Sequence, residues 1–131
     1  MTTIPDSHRD LLSSDVAVLA TVGEDGRPQV SAVWFHVDDD TIAVSLNTAR
    51  QKTKNLQNNR AATLFILDRG NPYRYLEVRG DADLRPDEDY AFADKVGAKY
   101  QSDLRAHDRP GERRVKVVIN PVRINAVDMG G

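Results

Sequence analysis

What most limits the fold of this chain is its run of short apolar, β-branched stretches, each closed by turn residues. Val16–Val22 reads VAVLATV, Glu24–Pro28 reads EDGRP, and Gln29–Val37 reads QVSAVWFHV. Asp25-Gly26 between two such runs is a strong hairpin signal, because a tight hairpin needs a residue that tolerates positive φ. Along an extended segment, side chains alternate between two faces. Val30, Ala32, Trp34 and His36 therefore share one face, and Gln29, Ser31, Val33, Phe35 and Val37 share the other. Asp38–Asp40 make a second turn, and Thr41–Leu46 (TIAVSL) completes a meander. Ala61–Leu67 and Tyr73–Leu84 follow, parted by the turn composition of Asp68–Pro72. Gly80 inside the longer run predicts a bulge or bend. Arg113–Val127 reads as a last strand pair or one bent strand broken at Pro121. Helical spacing is confined to Pro5–Leu12, to Asp87–Tyr100 and to a short surface helix resting on Leu56. About six strands with no strand–helix alternation predict a mainly β fold, an antiparallel barrel, and not a doubly wound sheet.

At 131 residues the chain fits one domain, residues 1–131, with one core. There is no cysteine, so disulfides, thiolate catalysis and cysteine-ligated metals are excluded. The three histidines have no metal-ligand spacing. A net charge of −2 argues against a duplex DNA binder. No apolar run approaches the ~20 residues that span a bilayer. The N-terminal MTTIPDSHRDLL lacks a secretion-signal pattern, and cytoplasmic residence is the expectation.

The charge is unevenly spread. Between Thr41 and Leu67 there is no Asp or Glu, while Asn47–Arg60 (NTARQKTKNLQNNR) carries Arg50, Lys52, Lys54 and Arg60. Arg offers a planar fork, Lys a point charge, and a helix start adds free backbone N–H groups. Arg50, Lys52 and Thr53, after a strand and at a helix opening, combine these for a cofactor phosphate; the alternative is a solvated helix face. Tyr73 and Tyr75 are either rim packing or an aromatic wall over a flat ligand. Arg109, Arg113, Arg114 and Lys116 form a second basic group. No serine sits in a nucleophile motif.

The order of these pieces is specific. VAVLATV, EDGRPQVSAVWF, TIAVSLNTARQKTKNLQNNRAATLFI and YRYLEVRGDADL, in that sequence, resemble the split β-barrel flavin and deazaflavin oxidoreductases. That superfamily includes pyridoxamine 5′-phosphate oxidase, and the chain looks most like its coenzyme F-420-dependent branch. The pieces that carry the resemblance are Gly26-Arg27-Pro28 and Arg50-x-Lys52-Thr53-x-Asn55-Leu56. The resemblance implies a six-stranded antiparallel split barrel and a homodimer with cofactor clefts at the interface. It implies that Arg50, Lys52, Thr53 and Asn55 hold the phosphate end of the cofactor. Gln29, Ser31 and Ser45 would line the ring or its ribityl chain, and Tyr73 would approach from the substrate side. The basic surface would meet the coenzyme's oligoglutamate tail. The activity implied is hydride transfer from reduced F-420 to an enone, quinone or tetrapyrrole-like acceptor, with no residue assigned as catalytic. FMN-dependent oxidation or reduction is the alternative, and a non-catalytic flavin-binding protein a further one. One departure stands out: pyridoxamine 5′-phosphate oxidases end in Arg-x-Glu-x-Trp, whereas Arg123 here is followed by Asn125 and Val127. This favours a substrate other than a vitamin B6 form.

Overall fold

A computed structural model describes residues 2–129. Its strands are β1 (Ala17–Val22), β2 (Pro28–Val33), β3 (His36–Asp38), β4 (Thr41–Asn47), β5 (Ala61–Leu67), β6 (Arg74–Pro86) and β7 (Arg114–Asp128). They form one antiparallel sheet in the order β2-β1-β5-β6-β7-β4-β3. Helices α1 (Gln51–Asn58) and α2 (Ala91–Tyr100) and two 3-10 turns, Asp6–Ser13 and Leu104–His107, complete the chain. None of the helices described is long and apolar enough to cross a membrane.

The strand order dictates the shape. The edge strands β2 and β3 are joined by Trp34 and Phe35 alone. Laid flat, six spacings of about 4.8 Å would hold those edges roughly 29 Å apart. A two-residue link reaches only about 10 Å. The sheet must therefore curl until its edges meet, giving a barrel split along one seam. Inside it Leu19, Phe35, Val44, Leu64, Ile66, Leu76, Val78 and Val117 are fully buried in one apolar cluster.

The architecture expected from the sequence is present, with seven strands instead of six. Gln29–Val37 is two strands, because the chain changes edges at Trp34–Phe35. Phe35 leaves the ladder there, and α2 satisfies its backbone: Phe35 N–H donates to the Tyr100 hydroxyl at 3.2 Å, and Lys99 Nζ donates to the Phe35 carbonyl at 2.7 Å. Buried backbone groups rarely stay unpaired, so the seam and α2 form together. The two-face alternation survives the break, with Val33 and Phe35 buried and Val30 and Trp34 exposed.

Other expectations are met or shifted for visible reasons. The Asp25-Gly26 hairpin forms, with Gly26 at φ 82. Gly80 marks a register shift opposite Pro121, and β7 is a single strand. A Cβ at Gly80 would lie 2.3 Å from the Asn120 carbonyl oxygen, so this bulge excludes a side chain. Helix α2 begins at Ala91, not Asp87, because the Asp87 carboxylate accepts the Phe92 and Ala93 amides at 3.1 and 2.9 Å. The largest correction concerns α1. It was expected to rest on the surface by Leu56 alone, yet Lys52, Thr53 and Asn55 are buried with it. The helix plugs one end of the barrel.

Candidate functional site

The site is built where β4 runs into α1. Asn47 ends the strand, and its side chain turns the chain: Asn47 Oδ1 accepts the Ala49 amide at 2.7 Å. Arg50 caps α1 in an extended conformation, φ −78 and ψ 143. Its guanidinium is exposed and has no hydrogen bond or ion pair to a described residue. Lys52, the second residue of α1, is only 7% exposed. Its Nζ donates to Ser31 Oγ at 2.9 Å, and no described carboxylate pairs with it. Burial, with Arg50 alongside, pushes the Lys52 ammonium below the ordinary lysine range. A buried ammonium without a counter-charge is costly, so two neighbouring cations here lack an anion.

These cations open into a cleft of about 280 Å³. Ala32 and Val33 of β2 and Trp34 just after it form one wall, Ser45, Leu46 and Asn47 of β4 another, and Val96, Leu104 and Arg114 close the far side. The Ser45 hydroxyl lines it as the single buried side-chain polar atom among the described residues with no partner. Trp34 stacks on Tyr100 with ring centroids 4.4 Å apart and planes 5° from parallel. The cleft is thus cationic at one end and flat and apolar at the other.

The other expected site residues divide into neighbours and outliers. Ser31 and Ser45 join Arg50 and Lys52. Gln29 and Asn55 line an adjoining groove with Gly23, Arg27 and Gln51. Asn55 Nδ2 donates to Thr21 Oγ1 at 3.1 Å and to Gln29 Oε1 at 3.2 Å, and Gln51 Nε2 donates to Asn55 Oδ1 at 2.9 Å. Thr53 is fully buried, its hydroxyl donating to the Asn47 carbonyl at 2.7 Å and its amide to Arg50 O at 3.1 Å. In this arrangement Thr53 braces the turn that presents the cations, and Asn55 ties α1 to β1 and β2. Tyr73 lies before β6, 59% exposed, and does not line the cleft of its own chain.

The second basic group does not form one surface. Arg114 is buried in an ion pair with Asp108 at 2.9 Å, and Lys116 Nζ sits 4.9 Å above the Phe92 ring. Asp108 also accepts from Asn47 Nδ2 at 2.8 Å and from the Tyr90 hydroxyl at 3.0 Å. Burial works to raise the Asp108 carboxyl, but the bonds from Arg114, Asn47 and Tyr90 outweigh it and leave it below the usual carboxylate range. His36 is half-buried, edge-on to Phe92 at 6.0 Å, consistent with packing. Sequence reading missed Trp34 as a cleft wall, Asn47 as the hub of the turn, and the Asp108–Arg114 pair. Asn47 carried a usable signal, an Asn between a strand and a helix start. The pairing of Asp108 with Arg114 had none.

The split barrel is the fold of the flavin and deazaflavin oxidoreductase class of β-barrels. The chain belongs to the pyridoxamine 5′-phosphate oxidase family, whose model matches residues 4–128. Among solved structures it is similar to an F-420 reductase, at 37% identity and a TM-score of 0.80, covering 93% of this chain and 98% of that one. The conserved hypothetical protein Rv2991 of Mycobacterium tuberculosis is 24% identical, with a TM-score of 0.77 over 97% of this chain and 86% of its own. HupZ of Group A Streptococcus is 22% identical, with a TM-score of 0.75 over 98% of each chain. The last two likenesses concern the fold alone.

Proposed function

We propose that this protein is an oxidoreductase that uses reduced coenzyme F-420 to deliver a hydride to a small conjugated acceptor: an enone, a quinone or a tetrapyrrole-like molecule. One observation carries the reading. Lys52 is buried beside Arg50 with a serine hydroxyl as its hydrogen-bond partner and no carboxylate among the described residues, an arrangement suited to a phosphate. The unpartnered Ser45 hydroxyl in the same cleft fits a polar group on the bound molecule. The 37% identity to an F-420 reductase favours the deazaflavin over FMN.

The residues have separable tasks. Arg50 and Lys52 hold the phosphate, Thr53 keeps the turn before α1 in shape, and Asn55 fixes the helix to β1 and β2. Ser31 and Ser45 offer hydroxyls along the ribityl chain and ring, with Gln29 behind them. The bound coenzyme, when reduced, supplies a hydride and little one-electron or oxygen chemistry. Trp34, backed by Tyr100, supplies a flat wall and excludes water from one side of the cleft. Tyr90 and Tyr100 are unsuited to proton donation. Their hydroxyls already donate to Asp108 at 3.0 Å and to the Phe35 carbonyl at 3.3 Å. A proton for the acceptor comes from solvent or from an exposed hydroxyl such as that of Tyr73. Asn125 and Val127 stand where an Arg-x-Glu-x-Trp segment starting at Arg123 would have Glu and Trp, which favours a substrate other than a B6 vitamer.

We further infer a homodimer. The outer face of β2, β1 and β5 is apolar, with Ala32 and Phe65 flanking Val18, and Val30 and Thr63 flanking Ala20. Val30 and Val122, near it, are 62% and 63% exposed. Apolar faces of this extent mark association surfaces. A second copy would bring its Tyr73 towards the cleft. Titration with FMN and with F-420, followed by anaerobic oxidation of reduced F-420 against a panel of conjugated acceptors, tests the proposal. Tight F-420 binding and acceptor-dependent turnover support it. Binding of FMN alone, or of neither, overturns it.

A further inference from the structure

The cationic turn is held from outside by a part of the chain that the cofactor assignment leaves unused. Asp108 and Glu112, in the loop before β7, both accept from the side-chain amide of Asn47, at 2.8 and 3.1 Å. An Asn amide can be built either way round, and its partners decide which end is oxygen. Two carboxylates on one side fix the NH2 group there and aim Oδ1 at the Ala49 amide, 2.7 Å away. The Asn47 backbone carbonyl meanwhile accepts the Arg50 amide at 3.1 Å and the Thr53 hydroxyl at 2.7 Å. Three bonds from residues 49, 50 and 53 therefore converge on Asn47, whose own orientation is set some sixty residues further along the chain. Asp108 is itself rigid, gripped by Arg114 and by the Tyr90 hydroxyl. Tyr90 holds a left-handed φ of 62, rare for a bulky residue.

We propose that Asn47 is the positioning residue of the coenzyme anchor, and that the Asp108–Glu112 loop, through it, sets how Arg50 and Lys52 converge on the phosphate. The inference rests on the cofactor reading given above. Without the side chain of Asn47 the Ala49 amide loses its partner and the turn is free to open. The cations remain but no longer meet at one point. Glu112 acts through its oxygen and not its charge, because its role is to accept.

Affinity for FMN and for F-420, measured by fluorescence on protein shown to be folded by circular dichroism, tests this with three variants. Asn47→Ala is expected to weaken the preferred coenzyme about tenfold or more, the effect of losing one well-formed loop bond. Glu112→Ala, nearer the surface and safer for folding, is expected to weaken it about threefold, and Glu112→Gln, which keeps an acceptor oxygen, to restore binding to within about twofold. A merely structural role predicts lower melting temperatures with unchanged affinity of the folded protein, and that result overturns the proposal. Equal loss in Glu112→Ala and Glu112→Gln also overturns it, since charge would then matter and not geometry. If the unaltered protein binds neither coenzyme, the cofactor reading itself has failed. If it binds one and the Asn47 and Glu112 variants bind equally well, only this inference has.

Discussion

Lys52 carries its charge on a residue only 7% exposed, and no carboxylate among the described residues pairs with it. Its depressed pKa has a readable consequence. Between the folded and the unfolded pKa, the unfolded chain binds more protons than the folded one, so stability rises with pH in that window. The window lies below about 10.4, the unperturbed lysine value. The cofactor-free protein is therefore expected to gain melting temperature, from Lys52, as pH climbs towards that value. Lys52→Met should remove this slope and melt no lower than the parent at neutral pH, while binding coenzyme roughly tenfold to a hundredfold more weakly, since a charge-assisted bond contributes about 1.5–3 kcal/mol. Thermal melts across pH, beside a coenzyme titration, check both halves. A variant that binds normally would remove Lys52 from the anchor. The identity of this residue as a cation of interest was legible from an acid-free window. Its burial was not, because burial comes from where α1 sits and not from neighbours in sequence.

At the scale of elements, α1 and the β6 bulge do most to place the site. Leu56 is fully buried and ties α1 to the barrel core. Leu56→Ala is expected to lower stability by about 2–5 kcal/mol and to loosen coenzyme binding with it, because Lys52 lies on the same helix. Denaturant unfolding and titration of the same sample would show whether the two losses travel together. Gly80 works differently. Gly80→Ala would press a methyl against the Asn120 carbonyl, at a cost of about 1–3 kcal/mol, without touching the cleft. Equilibrium unfolding should show the loss, and unaltered coenzyme affinity should accompany it. The bulge was predictable from a glycine inside an alternating run. The division of Gln29–Val37 was not, because nothing in the alternation of QVSAVWFHV signals a change of sheet edge. Only Tyr100 and Lys99, far along the chain, make the unpaired backbone of Phe35 tolerable.

For the whole molecule, the apolar outer face of β2, β1 and β5 is the feature a lone barrel leaves unexplained. Sedimentation is expected to give twice the 14.6 kDa chain mass. Val30→Asp, on an exposed position, should shift the protein to a folded monomer with weakened coenzyme binding. A monomeric parent with full affinity would show that the cleft is complete within one chain.

The sequence by itself determined the strand runs, the Asp25-Gly26 hairpin, the Gly80 bulge and the concentration of cations after β4. Each of these is a local property, set by φ/ψ preference, alternation or charge. Tertiary structure alone decided that β2 and β3 are opposite edges of one curled sheet, that Lys52 is buried with no acid among the described residues beside it, and that Asp108 grips Asn47. Those depend on long-range closure. A two-residue link forces the barrel shut, and the antiparallel pairing of β4 with β7, with Asn47 opposite Arg114, brings the loop before β7 against the turn that begins α1.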